Sequence, residues 1–272
     1  MHYIITGEKT QQLCDIYIGD TDDFNYNPLI SSQIDKHLII NNINTHFNNP
    51  YFIFCYSHRI DDLSTKIQFF NNDFILFTHN SDFDVRNTPY VKHILNCPKL
   101  KKWYAQNLCF EHEKINLIPI GIANSQWPHG NLPFFKNIIL EDNFKTKNVY
   151  FNFNINTNRN KRQPAYNSLN NKLEWLQTIE PDENLLRLRD YKFCICPDGN
   201  GIDTHRLWEA LYLKTVPIML QSVFTKILNN YNVPIVILNS WDDFDESKLN
   251  YQEYMHKFDD AIFKKLIDLN NY

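Results

Sequence analysis

Short apolar runs without internal polar alternation recur along this chain, and they restrict the fold more than any other feature. Tyr51-Phe52-Ile53-Phe54-Cys55-Tyr56, Phe74-Ile75-Leu76-Phe77-Thr78 and Tyr191-Lys192-Phe193-Cys194-Ile195-Cys196 are examples. They are too short for typical helices and apolar at successive positions, so as strands they are buried on both faces. Strands of that kind lie in parallel sheets covered by helices. Leu117-Ile118-Pro119-Ile120, Val149 to Phe153, Val216 to Leu220 and Pro234 to Leu238 read as further strands. Helical stretches fall between them: two short helices within Tyr90 to Asn107 broken at Pro98, one from Gln163 to Ile179, one from Thr204 to Lys214 and a last one from Tyr251 to Leu269. The alternation predicts an α/β chain with mostly parallel strands. The polar segment from Ser125 to Lys147 divides it into a first domain over 1–135 and a second over 136–250, followed by a terminal helix over 251–272. Ligands of such sheets bind at the carboxyl ends of strands, which places a binding cleft between the halves.

Composition narrows the function. The 272 residues carry 27 Lys+Arg against 31 Asp+Glu, a formal charge of -4, which argues against nucleic acid or anionic lipid as the main partner. Aromatics at 15 % supply a substantial core. The cysteines at 14, 55, 97, 109, 194 and 196 form no CxxC pair and no zinc-like spacing, and read as buried, reduced thiols. Met1 to Gly7 lacks the basic flank and apolar stretch of a signal peptide. No apolar run approaches the ~20 residues of a spanning helix. A cytoplasmic protein without a transmembrane segment is therefore expected. Its 36 asparagines alternate with Phe, Ile and Tyr, a pattern of a folded chain rather than a low-complexity tract.

The chemistry concentrates in Cys196-Pro197-Asp198-Gly199-Asn200-Gly201-Ile202-Asp203-Thr204-His205-Arg206-Leu207-Trp208-Glu209-Ala210-Leu211, where two of the six glycines close a buried strand and open a helix. Gly199 and Gly201 allow close backbone approach and positive φ. Asp203 or Thr204 can cap the helix. The free N–H groups at its start favour an anion, and Arg206 adds a fork suited to phosphate oxygens. His205, Arg206 and Glu209 can share one side, while Leu207, Trp208 and Leu211 turn to the core. A cation one turn before a carboxylate able to grip ribose hydroxyls suits a nucleoside diphosphate. The plainer reading is a surface Arg–Glu pair; the glycine loop tips the balance toward a ligand.

The stretch from Tyr191 to Tyr212, followed by Val216-Pro217-Ile218, resembles the nucleotide-sugar-binding segment of exostosin-type glycosyltransferases. That resemblance implies a GT-B-like fold of two Rossmann-like domains facing a cleft, with an acceptor-binding first half and a donor-binding second half. It implies a transferase moving a sugar from a nucleotide diphosphate sugar to a glycan or protein-linked acceptor, inverting and metal-independent, with no cofactor. Arg206 would meet the diphosphate and Glu209 the ribose, with Gly199, Asn200, Gly201, Asp203, Thr204 and His205 completing the donor loop. Lys214 departs from the glycine frequent at that turn. In this fold the last helix packs back on the first half, here through Phe258, Ile262 and Leu266.

Other segments supply further candidates. Arg159-Asn160-Lys161-Arg162 follows a strand, and Arg162 is the member chosen as a second diphosphate contact, against a solvated basic patch. Inverting transfer needs a general base, for which Asp82 and His79, just after a strand, are candidates. His58, Asn124 and Trp127 are candidate acceptor contacts, although the segment around Trp127 equally suits a linker. Two rivals remain: a non-catalytic nucleotide or glycan-binding module, and a metal-dependent GT-A-type transferase using Asp82 and Asp84, with Asp20 and Asp22 as the other DxD pair. No P-loop, HExxH, GxSxG or GxGxxG pattern is present.

Overall fold

A computed structural model describes residues 4–141 and 144–272. Met1 to Tyr3, on which part of the leader reading rests, and Asp142–Asn143 in the expected boundary segment lie outside the described residues. The chain forms two compact units, Ile5–Ile120 and Gly121–Tyr272, the second taking in Ile4. The stretch from Gly121 to Phe135, expected in the first half, therefore groups with the second.

The first unit holds a six-stranded sheet of β1 (Ile16–Gly19), β2 (His37–Ile39), β3 (Phe52–Tyr56), β4 (Phe74–His79), β5 (Leu100–Ala105) and β6 (Ile115–Leu117) in the order β2-β1-β3-β4-β5-β6. Every pairing is parallel, with Tyr17 opposite Phe54, Phe54 opposite Phe77 and Phe77 opposite Tyr104. This register lines aromatic rings across the sheet. Tyr17 and Phe54 meet edge-on at 6.1 Å, and Phe77 stacks on Tyr104 at 5.1 Å, geometries that add to the burial of the rings. The second unit holds β7 (Lys147–Tyr150), β8 (Tyr191–Ile195), β9 (Val216–Leu220) and β10 (Val236–Leu238), again all parallel, in the linear order β10-β9-β8-β7. Phe151, Phe193, Trp208 and Phe224 are buried at its centre.

The α/β class and parallel strands agree with the sequence pattern, while several elements differ. The second of the two helices expected before Asn107 is strand β5. Leu100, Trp103 and Tyr104 mimic helical spacing, yet both Trp103 and its neighbour Tyr104 are buried, because β5 lies between β4 and β6 and has two covered faces. Strands β1 and β2 escape the pattern, being only four and three residues long. β6 occupies Ile115–Leu117 instead of 117–120. The helix expected over 163–179 runs from Arg159 to Leu169, and a separate helix spans Pro181–Arg189.

The terminal helices belong to the second unit rather than to the first. Tyr212 donates to Ile267 O at 2.7 Å, Tyr251 donates to Lys214 O at 2.6 Å, and Ile4 bridges Asp268. Their buried stripe is Phe258, Phe263, Leu266 and Ile267, whereas Ile262 is 48 % exposed. Cys14, Cys55, Cys194 and Cys196 are buried, Cys97 and Cys109 half-buried, and all six are free thiols. Among the described residues no helix is long and apolar enough to cross a membrane.

Candidate functional site: two arginines at the ends of β7 and β8

Beyond β7 the chain leaves the sheet through Phe151-Asn152-Phe153-Asn154, and beyond β8 through the glycine loop. Asn158 joins the two. Its side-chain oxygen accepts from Lys161 N at the start of helix Arg159–Leu169, while its Nδ2 donates to Gly199 O at 2.7 Å. That cap orients the helix so that Arg162 reaches inward, with Nε donating to Asp198 O at 2.9 Å and Nη1 to Asn154 O at 2.8 Å. Arg159 and Lys161 stay exposed. Arg206 arrives from helix His205–Tyr212. Its Nη1 donates to Asn152 O at 2.9 Å, its Nε donates to Glu209 Oε2 at 3.2 Å, and its guanidinium lies 5.4 Å from the Tyr150 ring centre.

The electrostatics of the two cations differ. Burial opposes the charge on Arg206, but the Glu209 carboxylate, with Cys194, Tyr150 and Cys196, outweighs it and raises the pKa above the ordinary value. Burial, and then the Arg206 charge, lower that of Arg162 to about 10. Arg162 has backbone carbonyls as partners, and among the described residues no acidic side chain pairs with it. Two partly buried guanidiniums, one of them weakened by burial and by the charge of the other, form a place where an anion lowers the free energy.

The loop departs from expectation in its details. Neither Gly199 nor Gly201 has positive φ. At Gly199 space is tight, since a Cβ there would lie 3.2 Å from Thr204 Cγ2 and 3.3 Å from Arg162 Nη2. Asp203 is not the cap: it is buried and accepts from Trp208 Nε1. Thr204 occupies the cap position, but its side chain accepts no bond from the helix. Asn200 is exposed at the loop tip. His205 Nδ1 lies 2.8 Å from Gly121 O, and its ring meets that of His129, on which Trp127 stacks. The segment carrying Asn124 and Trp127 therefore flanks the start of the arginine-bearing helix. Asn124 O accepts from Trp127 N, and Trp127 is 39 % exposed.

In the first unit His79 is fully buried at the end of β4. Its Nδ1 accepts from Asn80 N at 2.8 Å, so Nε2 carries the proton and donates to Pro119 O at 3.0 Å. With both ring nitrogens engaged, this imidazole is a structural link and has no lone pair free for a base. Asp82 is exposed. Asp84 is bound by Arg86 Nη2 at 2.5 Å, which separates it from Asp82 in environment. Asp20 caps helix Thr21–Asn25, and Asp22 is exposed. Among the described residues no three His, Cys, Asp or Glu side chains are grouped to hold a metal ion.

His58 is partnered by Asp23, which sequence reasoning missed, and Asp23 is bound in turn by Arg59. His58 Nε2 lies 2.7 Å from Asp23 Oδ1, and Arg59 Nε donates to Asp23 Oδ2 at 2.9 Å. Burial pushes the Asp23 carboxyl up, but His58, the Asp20 N–H and Arg59 together hold it down at about 2. The polar loop after the strand ending at Tyr56 hints at His58, but nothing in the sequence points to Asp23, because β1 itself escapes the pattern. No protein-family model matches the chain, and no curated protein matches it.

Proposed function

We propose that this chain is a GT-B-like, exostosin-like glycosyltransferase that moves a sugar from a nucleotide diphosphate sugar to a glycan or protein-linked acceptor. The observation that carries the reading is the pair Arg162 and Arg206, drawn together by backbone carbonyls at the carboxyl ends of β7 and β8 beside a glycine loop. Departure of a nucleoside diphosphate develops negative charge on its oxygens. Fixed guanidiniums meet that charge without reorganising, which is the largest contribution a site can make to such a step. They supply it in the absence of a divalent ion, so transfer is expected to survive EDTA. Glu209, itself buried, holds Arg206 in place through Nε, and its remaining carboxylate oxygen is the group assigned to ribose hydroxyls in this reading.

Calorimetry with uridine and guanosine diphosphates and the corresponding nucleosides tests the reading. Arg206→Ala and Arg162→Ala should each weaken the diphosphate at least tenfold, about 1.4 kcal/mol, and the nucleoside much less. Equal losses for both ligands would refute the phosphate assignment. Slow hydrolysis of a nucleotide sugar without acceptor, retained in EDTA, separates a transferase from a binding module and from a metal-dependent enzyme.

A further inference from the structure

Helix Leu132–Leu140 carries more apolar surface than its unit covers. Only Phe135 and Ile138 are buried along it, while Ile139 is half-buried and Leu140 is 75 % exposed. Ile139 and Leu140 line a cleft of about 510 Å³ that lies wholly within Gly121–Tyr272, a volume in the range of small-molecule sites. Phe258, Phe263 and Ile267, from helix Ala261–Ile267 and the turn before it, complete the apolar lining with Leu211. Tyr212 also lines the cleft, but its hydroxyl is spent on Ile267 O at 2.7 Å and its ring meets Phe135 edge-on at 6.0 Å. Charge enters through Lys136, Lys214 and Lys264. Lys264 is paired with Asp259 at 2.9 Å, whereas Lys136 and Lys214 make no ion pair among the described residues. Lys136 stands one turn before Leu140, so its ammonium flanks the uncovered apolar end. Lys214 holds a φ of 56°, which is costly for lysine and free for glycine. Strain of this kind gathers at ligand sites, and this one sets a cation at the cleft.

We propose that this cleft binds a single-chain amphiphilic anion, a medium-length acyl chain ending in a carboxylate or phosphate. The chain covers Ile139, Leu140, Phe263 and Ile267, and the anionic end meets Lys136 and Lys214, whose stems extend the apolar wall while their ammonium groups stay in water. The inference stands on this cleft alone and is independent of the glycosyl-transfer reading. A neutral hydrocarbon gains the burial but leaves both ammonium groups without a counter-charge, and a small hydrophilic anion leaves the apolar wall wet. A ligand with both ends satisfies both halves of the lining. A bilayer surface fits less well, because Phe258, Phe263 and Ile267 are buried within a cleft rather than raised on a protruding edge, and the formal charge of the chain is -4. A second copy packed about a two-fold axis sets the same lysines against each other.

Calorimetry on the full chain, with ligands below their micellar range, tests the assignment. Decanoate and decyl phosphate should bind one to one. From octanoate to decanoate each added methylene should tighten binding about two- to fourfold, and butanoate should not saturate. Octanol should bind more weakly than octanoate, and octyltrimethylammonium more weakly still. Lys214→Gly and Lys136→Gln should each weaken decanoate about three- to tenfold and leave octanol unchanged. Because Lys214→Gly relaxes the backbone, a loss there is a loss of charge and not of fold. No saturable decanoate binding, octyltrimethylammonium bound as tightly as octanoate, or decanoate affinity equal in wild type and both variants overturns the proposal. So does concentration-dependent dimerisation that Leu140→Ser abolishes, which would show a second copy on this face. Capture on phosphatidylglycerol vesicles without decanoate binding overturns it as well, in favour of a bilayer.

Discussion

At the residue scale, asparagine takes over work that glycine does in most chains. With 36 Asn and only 6 Gly, left-handed backbone positions fall to Asn80, Asn107 and Asn232, at φ 56°, 52° and 54°. Asn tolerates that region because its short polar side chain bonds locally. Asn27, Asn131, Asn154 and Asn158 accept helical N–H groups as caps. Gly121, at φ 67°, and Lys214, at φ 56°, are the exceptions among the described residues. Lys214 ends helix His205–Tyr212 in a Schellman turn, with its N donating to Leu211 O and Thr215 N to Ala210 O. A left-handed non-glycine residue costs roughly 1–2 kcal/mol, part of which glycine returns through unfolded-state entropy. Lys214→Gly should accordingly stabilise the protein by about 0.5–1 kcal/mol in urea unfolding. Gly130→Ala should do the reverse, by about 2 kcal/mol or more, since its Cβ would fall 2.0 Å from Asn124 O.

At the scale of elements, one side chain holds two helix ends. Lys145, just before β7, donates to Arg189 O at 2.7 Å, to Leu213 O at 2.7 Å and to Thr215 Oγ1 at 2.6 Å. Helices Pro181–Arg189 and His205–Tyr212 both end on that amino group, whose pKa burial lowers to about 7, and their terminal carbonyls and negative dipole ends gather there. The second of these helices carries Arg206 and Glu209. Lys145→Met keeps the apolar stem and removes the donors, leaving carbonyls short of partners at about 1–3 kcal/mol each. A loss of at least about 2 kcal/mol is expected, and Lys145→Arg should recover part of it. A loss below 0.5 kcal/mol would show that water replaces the clamp.

For the whole molecule, the two units should respond differently to acid. Asp23, whose pKa is held at about 2 against an ordinary 3.8, lies in Ile5–Ile120. Among the described residues of the other unit the lowered groups are Asp259, which is exposed, and Asp245 and Asp260, which are half-buried at its surface, and all three contribute little. A depressed carboxyl stabilises the fold fully above its unfolded pKa and loses that contribution as pH falls through the folded value. The shift corresponds to about 2 kcal/mol. Peptide-resolved hydrogen exchange should therefore show protection in Ile5–Ile120 dropping between pH 4 and 2 before that of Gly121–Tyr272. In Asp23→Asn this difference between units should disappear. Equal loss in both units would place the acid-sensitive interactions elsewhere.

Local sequence was enough to determine the α/β class, the principal parallel strands and the strand–loop–helix segment around Arg206, because continuous apolar runs and a glycine pair state their environment within a few residues. The spacing of Arg206 and Glu209 likewise anticipated their pairing, since one helical turn separates them. The contacts that give the side chains their chemistry were decided by tertiary structure. Arg162 meets Asp198 across 36 positions, and His58 meets Asp23 across 35, so neither pair leaves a local pattern. His79 and His58 look alike in sequence, each following a buried strand. Folding buries one between Asn80 and Pro119 and leaves the other half open against a carboxylate. β5 was misread for the same reason: whether adjacent Trp103 and Tyr104 belong to a helix or a strand depends on β4 and β6 covering them, and strand pairing is a property of distant chain.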